Sequence, residues 1–513
     1  MDAAPATPNV GGGASAAAYI ADESGSADEP PLDAVPSRRS LRRRDARADE
    51  PVAVDVVVVG AGQAGLSAAY HLRRSGLTPV GEPGWERARG TFVVLDDAPH
   101  AGGAWQHRWP GLRMADAHAV HDLPGMPLVV PDPQEPAALA VPYYYAQYEE
   151  EFGLRVQRPV RVDRVRDDGR GGLLVSSRSV EHPSARVVWR ARGLVNATGT
   201  WQKPFWPAYP GRATFAGRQL HTHDYRRPED LADGHVVVVG AGTSAVQLLL
   251  QVARVTTTTW VTRRPPVWRD AEFSPELGRE AVAKVEQRTR AGLPPRSVVS
   301  VTGIALTPAY REGIASGVLR ARPMFSRIVP DGVVWEQRPA GTADGAGDGI
   351  DAVDVTTTGA VQPATTGAVH PTTGAVRAAP TGAVHPATTG AVHPAATGAQ
   401  TRTVVGATSG ATMGTDADDD WPDLAADVPS GWVDGPPHVA ARTLLWCTGF
   451  RAALDHLAPL HLRGRNGGIV MDGTQVVADP RIQLVGYGPS ASTIGANRAG
   501  REAVRNLRRL LGW

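Results

Sequence analysis

Two glycine-rich turns, each directly after a run of valines, carry the clearest chemistry in this sequence: VDVVVVGAGQAG over 54–65 and HVVVVGAGTSA over 235–245. A buried strand that turns sharply into a helix leaves backbone N–H groups and the positive end of the helix dipole facing outward. That is a receptor for a pyrophosphate. Gly60, Gly62 and Gly65 fill three roles in the first turn: a tight bend, close backbone approach to the pyrophosphate, and close packing of helix on strand, with Gln63 and Ala64 between them. Gly240, Gly242 and Ala245, with Thr243 and Ser244, repeat the pattern.

The residues that close the next strand of each unit differ in sign. FVVLDD places Asp96 where an acid holds ribose hydroxyls, 31 residues beyond Gly65. The usual gap is about 20 residues, and the loop PVGEPGWERARG at 79–90 accounts for the excess. The alternative is a glycine turn followed by an ordinary surface aspartate. In the second unit VTRR places Arg263 and Arg264 to receive a 2′-phosphate, although arginine pairs are also common as solvated surface. The asymmetry assigns FAD to the first turn and NADPH to the second, so the expected protein is a redox enzyme.

These turns need elements to position them. The 513 residues exceed a single hydrophobic core, and 42% apolar composition is ample for burial. A net charge of +1 gives no pull toward nucleic acid. Cys447 is the only cysteine, which forbids an internal disulfide and the paired-thiol relay of disulfide reductases. No apolar run outside the glycine-broken 51–69 segment is long enough to span a membrane. The basic run at 37–47 is followed by ADE and fails as an export signal, which makes a cytoplasmic location the expectation.

The expected fold class is α/β, with two Rossmann-like dinucleotide-binding domains, the FAD domain discontinuous. Residues 1–50 are expected to be disordered, 51–210 to form the first part of the FAD domain, 211–337 the NADPH domain, 338–435 a low-complexity insertion, and 436–513 the C-terminal part of the FAD domain. The patterns predict strands at 54–59, 91–95, 193–196, 235–239 and 257–262, and helices at 63–75, 143–152 and 243–254. The insertion repeats TTGAVHP-like phrases, each with one Val and no aromatic residue to bury. Its His370, His385 and His393 lack acidic or thiol partners, so no metal site is expected. On either side, DGVVWEQ and HVAARTLLWCTGF read as strands that a hairpin turn could join, with the insertion as an overgrown loop.

Between the turns lies FAGRQLHTHDYR, with Phe215, Gly217, His221 and Tyr225 in the spacing F-x-G-x-x-x-H-x-x-x-Y. Here the chain resembles the class B flavin monooxygenases over 52–337 and 436–513. Tyr225, where Baeyer-Villiger members carry Trp, makes it more similar to the flavin-containing (N,N-dimethylaniline monooxygenase-like) branch. The resemblance implies flavin contacts from Gly103 and Trp105 in GGAWQHRWPG, an adenine contact through the Val162 backbone, and domain crossings at NATGTWQKP, with Thr198 and Gly199, and at WCTGF. It also implies a final flavin loop at 487–503, with Ser492, Thr493 and Ile494 near the ring, where the Ser/Thr residues serve equally as helix caps.

The family usually places an Asn beyond the Gly-Gly-x-Trp loop, but this chain reads LRMADAHAVHDLPGMP there. Asp116, His118 and His121 are candidates for that site, and His221 is either a general base or a structural residue at the domain junction. The activity implied is monooxygenation: NADPH reduces FAD, oxygen forms a flavin C4a-(hydro)peroxide, and a small organic substrate is oxygenated at N, S or a carbonyl. Two alternatives stand beside it, an NADPH oxidase or reductase without oxygen insertion, and a nucleotide-sensing module with the repeat as its binding arm.

Overall fold

The computed structural model describes residues 50–117, 120–270, 275–295, 303–336, 428, 431–491 and 493–513. The N-terminal segment apart from Glu50, and the repeat phrases with their three histidines, lie outside the described residues. In chain order the elements of the first half are β1 (Val52–Val59), α1 (Gln63–Arg74), β2 (Thr78–Pro79), β3 (Thr91–Leu95), α2 (Ala137–Glu151), β4 (Val160–Asp167), β5 (Leu173–Ser179) and β6 (Arg186–Asn196). Next come β7 (Arg218–His221), β8 (Val236–Val239), α3 (Thr243–Val252), β9 (Thr258–Thr262), β10 (Trp268–Arg269), α4 (Pro275–Arg290), β11 (Ile304–Ala305), α5 (Pro308–Ala315), β12 (Ala321–Pro323), β13 (Arg327–Val329) and β14 (Gly332–Val334). The chain closes with β15 (His438–Ala440), β16 (Thr443–Trp446), β17 (Met471–Asp472), β18 (Gln475–Val476), β19 (Asp479–Leu484) and α6 (Thr493–Leu511).

Two sheets carry the glycine turns, the first mixed around a parallel centre and the second parallel. The first runs β17-β18-β19-β6-β1-β3-β2, with the antiparallel β4–β5 hairpin attached to β6. The second runs β12-β9-β8-β16-β7 and is parallel throughout. Val56–Val58 and Val236–Val238 are wholly buried, because helices and loops cover both faces of each sheet; this is why they read as unbroken apolar runs. Helix α1 lays Leu66, Ala69 and Leu72 on the first core and packs against α6 at a contact of small residues. A Cβ on Gly500 would come within 2.6 Å of Ser67 Oγ.

Three departures from the sequence reading have physical causes. Helix α2 begins at Ala137 and passes through Pro142, whose ring packs on Gly102; a Cβ there would lie 2.7 Å from it. The strand expected at 193–196 is the end of the longer β6. Finally, β14 and β15 pair antiparallel, Val333 opposite Val439, as the overgrown hairpin requires, but the following β16 enters the second sheet between β8 and β7. The chain therefore returns to the first sheet after Trp446 and not at 436. The described tail of the expected insertion also belongs to the second sheet: Val433 N–H donates to Ala321 O at 2.8 Å, and Trp432 Nε1 to Thr262 Oγ1 at 3.0 Å.

Candidate functional site: two dinucleotide turns and their seam

At the first turn the three glycines do different work. Gly60 has φ +97°, and a Cβ on it would sit 2.5 Å from Ala197 O, so bend and contact both require glycine. Gly65 is pressed on the turn itself, its hypothetical Cβ 1.9 Å from Gly60 O. Gly62 is different: a Cβ there would meet only Gly103 Cα, at 4.0 Å. As N-cap of α1 it makes no side-chain cap bond, so the helix N-terminus opens onto space that a phosphate can fill.

Asp96 directly follows β3, buried, with Oδ2 accepting from Ala61 N–H at 2.5 Å and Oδ1 from Ala98 N–H at 3.0 Å. Arg158 reaches Oδ1 at 3.4 Å while its other nitrogens clamp Glu149 at 2.5 and 2.7 Å. This cation compensates the buried Asp96 and the half-buried Glu149. Sixty-two residues separate Arg158 from Asp96, and no local pattern announces the pair. Val162 sits half-buried at the register shift of the β4–β5 hairpin, whose entry is tied to β3 by Val160 N–H to Asp96 O at 2.7 Å.

The loop after β3 folds back on this turn. Gly103 (φ +52°) abuts Gly62, and Trp105 lies beside the buried Tyr145, whose pKa is raised by burial and held back by a hydrogen bond with Trp105. Tyr145 OH donates to Gln63 Oε1 at 3.3 Å, and Gln63 Nε2 donates to His121 O at 3.1 Å. Asn497 of α6 completes the knot: Gln63 Nε2 also lies 3.5 Å from its Oδ1, and its Nδ2 donates to Asp122 O at 2.5 Å. Gln63 is thus a loop anchor, and Asn497 was not singled out from sequence. Ala64 is half-buried behind them. Thr493 opens α6, but its side chain and that of Ile494, like Ser492, fall outside the described residues.

The second turn repeats the geometry. Gly240 has φ +141°, and a Cβ would lie 2.2 Å from Cys447 O; Gly242, N-cap of α3, has nothing within 4 Å. Thr243 and Ser244 are half-buried in the first turn of α3, and Ala245 is wholly buried beneath them. Arg263 and Arg264 follow the last residue of β9, exposed and without an ion pair among the described residues. A dinucleotide fits each turn: an uncapped helix N-terminus beside a glycine with open space, with an acid at one strand end and two free guanidinia at the other.

Two crossings join the units. Thr198 Oγ1 donates to Ala453 O at 2.7 Å, and Gly199 (φ +61°) accepts at its carbonyl from Ala453 N–H at 3.0 Å. Thr448 Oγ1 donates to Phe205 O at 2.5 Å, and Phe205 N–H to Gly449 O at 2.9 Å, so the crossings run side by side and are strapped together. His221 is wholly buried; its Nε2 lies 3.0 Å from Gly449 O and its Nδ1 accepts from His223 N–H at 3.1 Å. The donor at Nε2 and acceptor at Nδ1 define one neutral tautomer, and burial lowers its pKa. No nitrogen is left for a substrate proton. The other motif residues are anchors too: Gly217 faces Arg442 O, and Tyr225 OH donates to Gln251 Oε1 of α3 at 3.2 Å.

Asp116 is exposed, its carbonyl held by Gln247 Nε2 at 3.1 Å, so it faces α3 and not the first turn. His118 lies outside the described residues. Cys447 is buried under Gly240, and burial pushes its thiol up to about 12, which keeps it protonated. No helix among the described residues is long and apolar enough to cross a membrane.

Comparison with known proteins points the same way. The profile described as pyridine nucleotide-disulphide oxidoreductase matches residues 104–291. An uncharacterized oxidoreductase CzcO of Bacillus velezensis is 27% identical over 214 residues, 42% of this chain and 56% of that one. A Baeyer-Villiger monooxygenase of Streptomyces coelicolor is 27% identical over 47% of this chain and 43% of its own length. The matches thus span about half the length of these curated relatives. A flavin-containing monooxygenase from Stenotrophomonas maltophilia superposes with a TM-score of 0.58 at 28% identity, covering 90% of this chain and 99% of that one. By motif, fold and relatives, the chain is similar to the flavin-containing monooxygenases and related two-dinucleotide flavoproteins, which use FAD and NADPH.

Proposed function

We propose that the protein is a cytoplasmic monooxygenase that holds FAD at the Gly60–Gly65 turn and NADPH at the Gly240–Ala245 turn, and inserts one atom of O2 into a small organic substrate at N, S or a carbonyl carbon. The second oxygen atom leaves as water, and NADPH supplies the two electrons. The observation that carries the reading is the pairing of two uncapped, glycine-opened helix N-termini with opposite charge at the strand ends, Asp96 against Arg263 and Arg264.

When bound, the flavin provides the redox and oxygen chemistry. The chain's own residues bind and orient. Gly62 and Gly242 let backbone N–H groups approach phosphate, Asp96 is the carboxylate at the ribose end, and the two arginines read the 2′-phosphate. Trp105, Tyr145 and Gln63 hold the loop over the first turn, and the strapped crossings with His221 set one unit against the other. Disulfide chemistry is unsupported, since Cys447 is single, buried and protonated.

The test is NADPH-driven turnover under isotopically labelled O2 with a panel of tertiary amines, sulfides and ketones. Label in a product supports the proposal. NADPH consumption matched mole for mole by hydrogen peroxide with every substrate would replace it with the oxidase reading.

A further inference from the structure

Trp432 is the one exposed tryptophan among the described residues. It is 43% exposed, yet its Nε1 is pinned to Thr262 Oγ1 at 3.0 Å, and its neighbour Val433 is bonded to Ala321 O of the adjoining strand β12. An exposed indole held at its ring nitrogen, on a chain tied down at the next residue, is fixed in place without being buried by the fold. Thr262 is the last residue of β9, and Arg263 and Arg264 follow it directly. In parallel α/β sheets ligands bind beyond the carboxyl ends of the strands, and the adenosine half of a dinucleotide lies at the end of the second strand of its unit. In this unit that strand is β9.

We propose that Trp432 is the stacking platform for the adenine ring of NADPH, supplied to the second turn by the tail of the segment between β14 and β15. The inference rests on the NADPH reading of that turn. An indole offers a flat π-face to any base, and the tether to Thr262 fixes it beside the two guanidinia expected to hold the 2′-phosphate. Recognition is then divided between two elements far apart in sequence: the charge of the ribose phosphate is read from β9, and the base from residue 432.

Calorimetric titration of the FAD-loaded full chain with adenosine 2′,5′-bisphosphate, which carries the adenine and 2′-phosphate but no nicotinamide, tests this without turnover. Trp432→Ala is expected to raise its Kd about tenfold, the size of a lost base stack. Trp432→Phe, which keeps an aromatic face, should stay within about threefold of the parent. Flavin content and melting temperature are measured on both variants, so that a folding defect is seen directly. If the parent binds the bisphosphate and Arg263→Ala/Arg264→Ala weakens it while Trp432→Ala does not, the platform is overturned and the NADPH reading stands. Equal weakening by Ala and Phe would also overturn it, assigning Trp432 to holding the loop through its ring nitrogen. A parent protein that does not bind the bisphosphate overturns the NADPH reading itself, and the platform with it.

Discussion

One methyl group separates the roles of the glycines at the first turn. Gly62 has extended backbone and open space around its missing Cβ, so Gly62→Ala should leave the apoprotein within about 0.5 kcal/mol of the parent while stripping it of flavin. Gly65→Ala places a Cβ on Gly60 O and should cost the fold itself about 3 kcal/mol. Chemical denaturation of the apoproteins, with flavin absorbance of the purified proteins, distinguishes the two. At the second turn, Arg263→Ala with Arg264→Ala should raise KM for NADPH at least about tenfold and leave that for NADH nearly unchanged, because NADH lacks the 2′-phosphate. Equal changes in both KM values would mean the phosphate is read elsewhere. His221 belongs to the same scale: both ring nitrogens are engaged by backbone, so its replacement should loosen the seam and not abolish a proton transfer.

Among the elements, the β14–β15 ladder makes the sharpest forecast. Removing 345–421 and joining the ends shortens a loop whose closure cost grows only with the logarithm of its length, so the stability of the flavin-loaded protein should change by no more than about 1 kcal/mol. Extending the deletion through 435 also removes the buried Val428, the Trp432–Thr262 bond and the Val433–Ala321 bond. That second deletion should melt earlier and bind NADPH worse, and thermal melts of both deletions settle the point. The valine strands were legible because strands covered on both faces show as continuous apolar runs, and the turns because only glycine fits at Gly60, Gly65 and Gly240. The start of α2 was not, since Pro142 reads as a breaker when its packing on Gly102 is unseen. Nor were the pairs Arg158–Asp96 and His221–Gly449, because partners 62 and 228 residues apart share no periodicity. The tail at 428–435 was read as insertion because its few apolar residues sit among Pro, Gly and Asp.

Across the whole molecule, buried and half-buried histidines make the fold sensitive to acid. His456 is buried with Nε2 2.7 Å from Asn196 Oδ1, and burial lowers its pKa to about 4; His71 is also lowered to about 4, by burial and by Arg501 and Arg74. Burial likewise lowers His107, His221 and His235. In each case the unfolded chain takes up the proton first, near the ordinary histidine value of about 6.5. The stabilisation is complete above that value and drains away as pH falls through it toward about 4, with His456 alone contributing on the order of 3 kcal/mol. Urea denaturation of the apoprotein from about pH 7.5 down to about pH 5 should show stability falling, and His456→Gln should flatten the slope by nearly one proton. An unchanged slope in that variant would remove His456 from the account.

The same ladder has a consequence for the gene. Strands β14 and β15 meet in one register whatever length of chain runs between them, and the intervening phrases recur every seven or eight residues. A replication slip that gains or drops one phrase in frame changes the free energy of ring closure by only about 0.1 kcal/mol. Tandem expansion at this locus is therefore nearly silent to selection on folding, and natural isolates can differ in copy number while keeping both nucleotide turns intact.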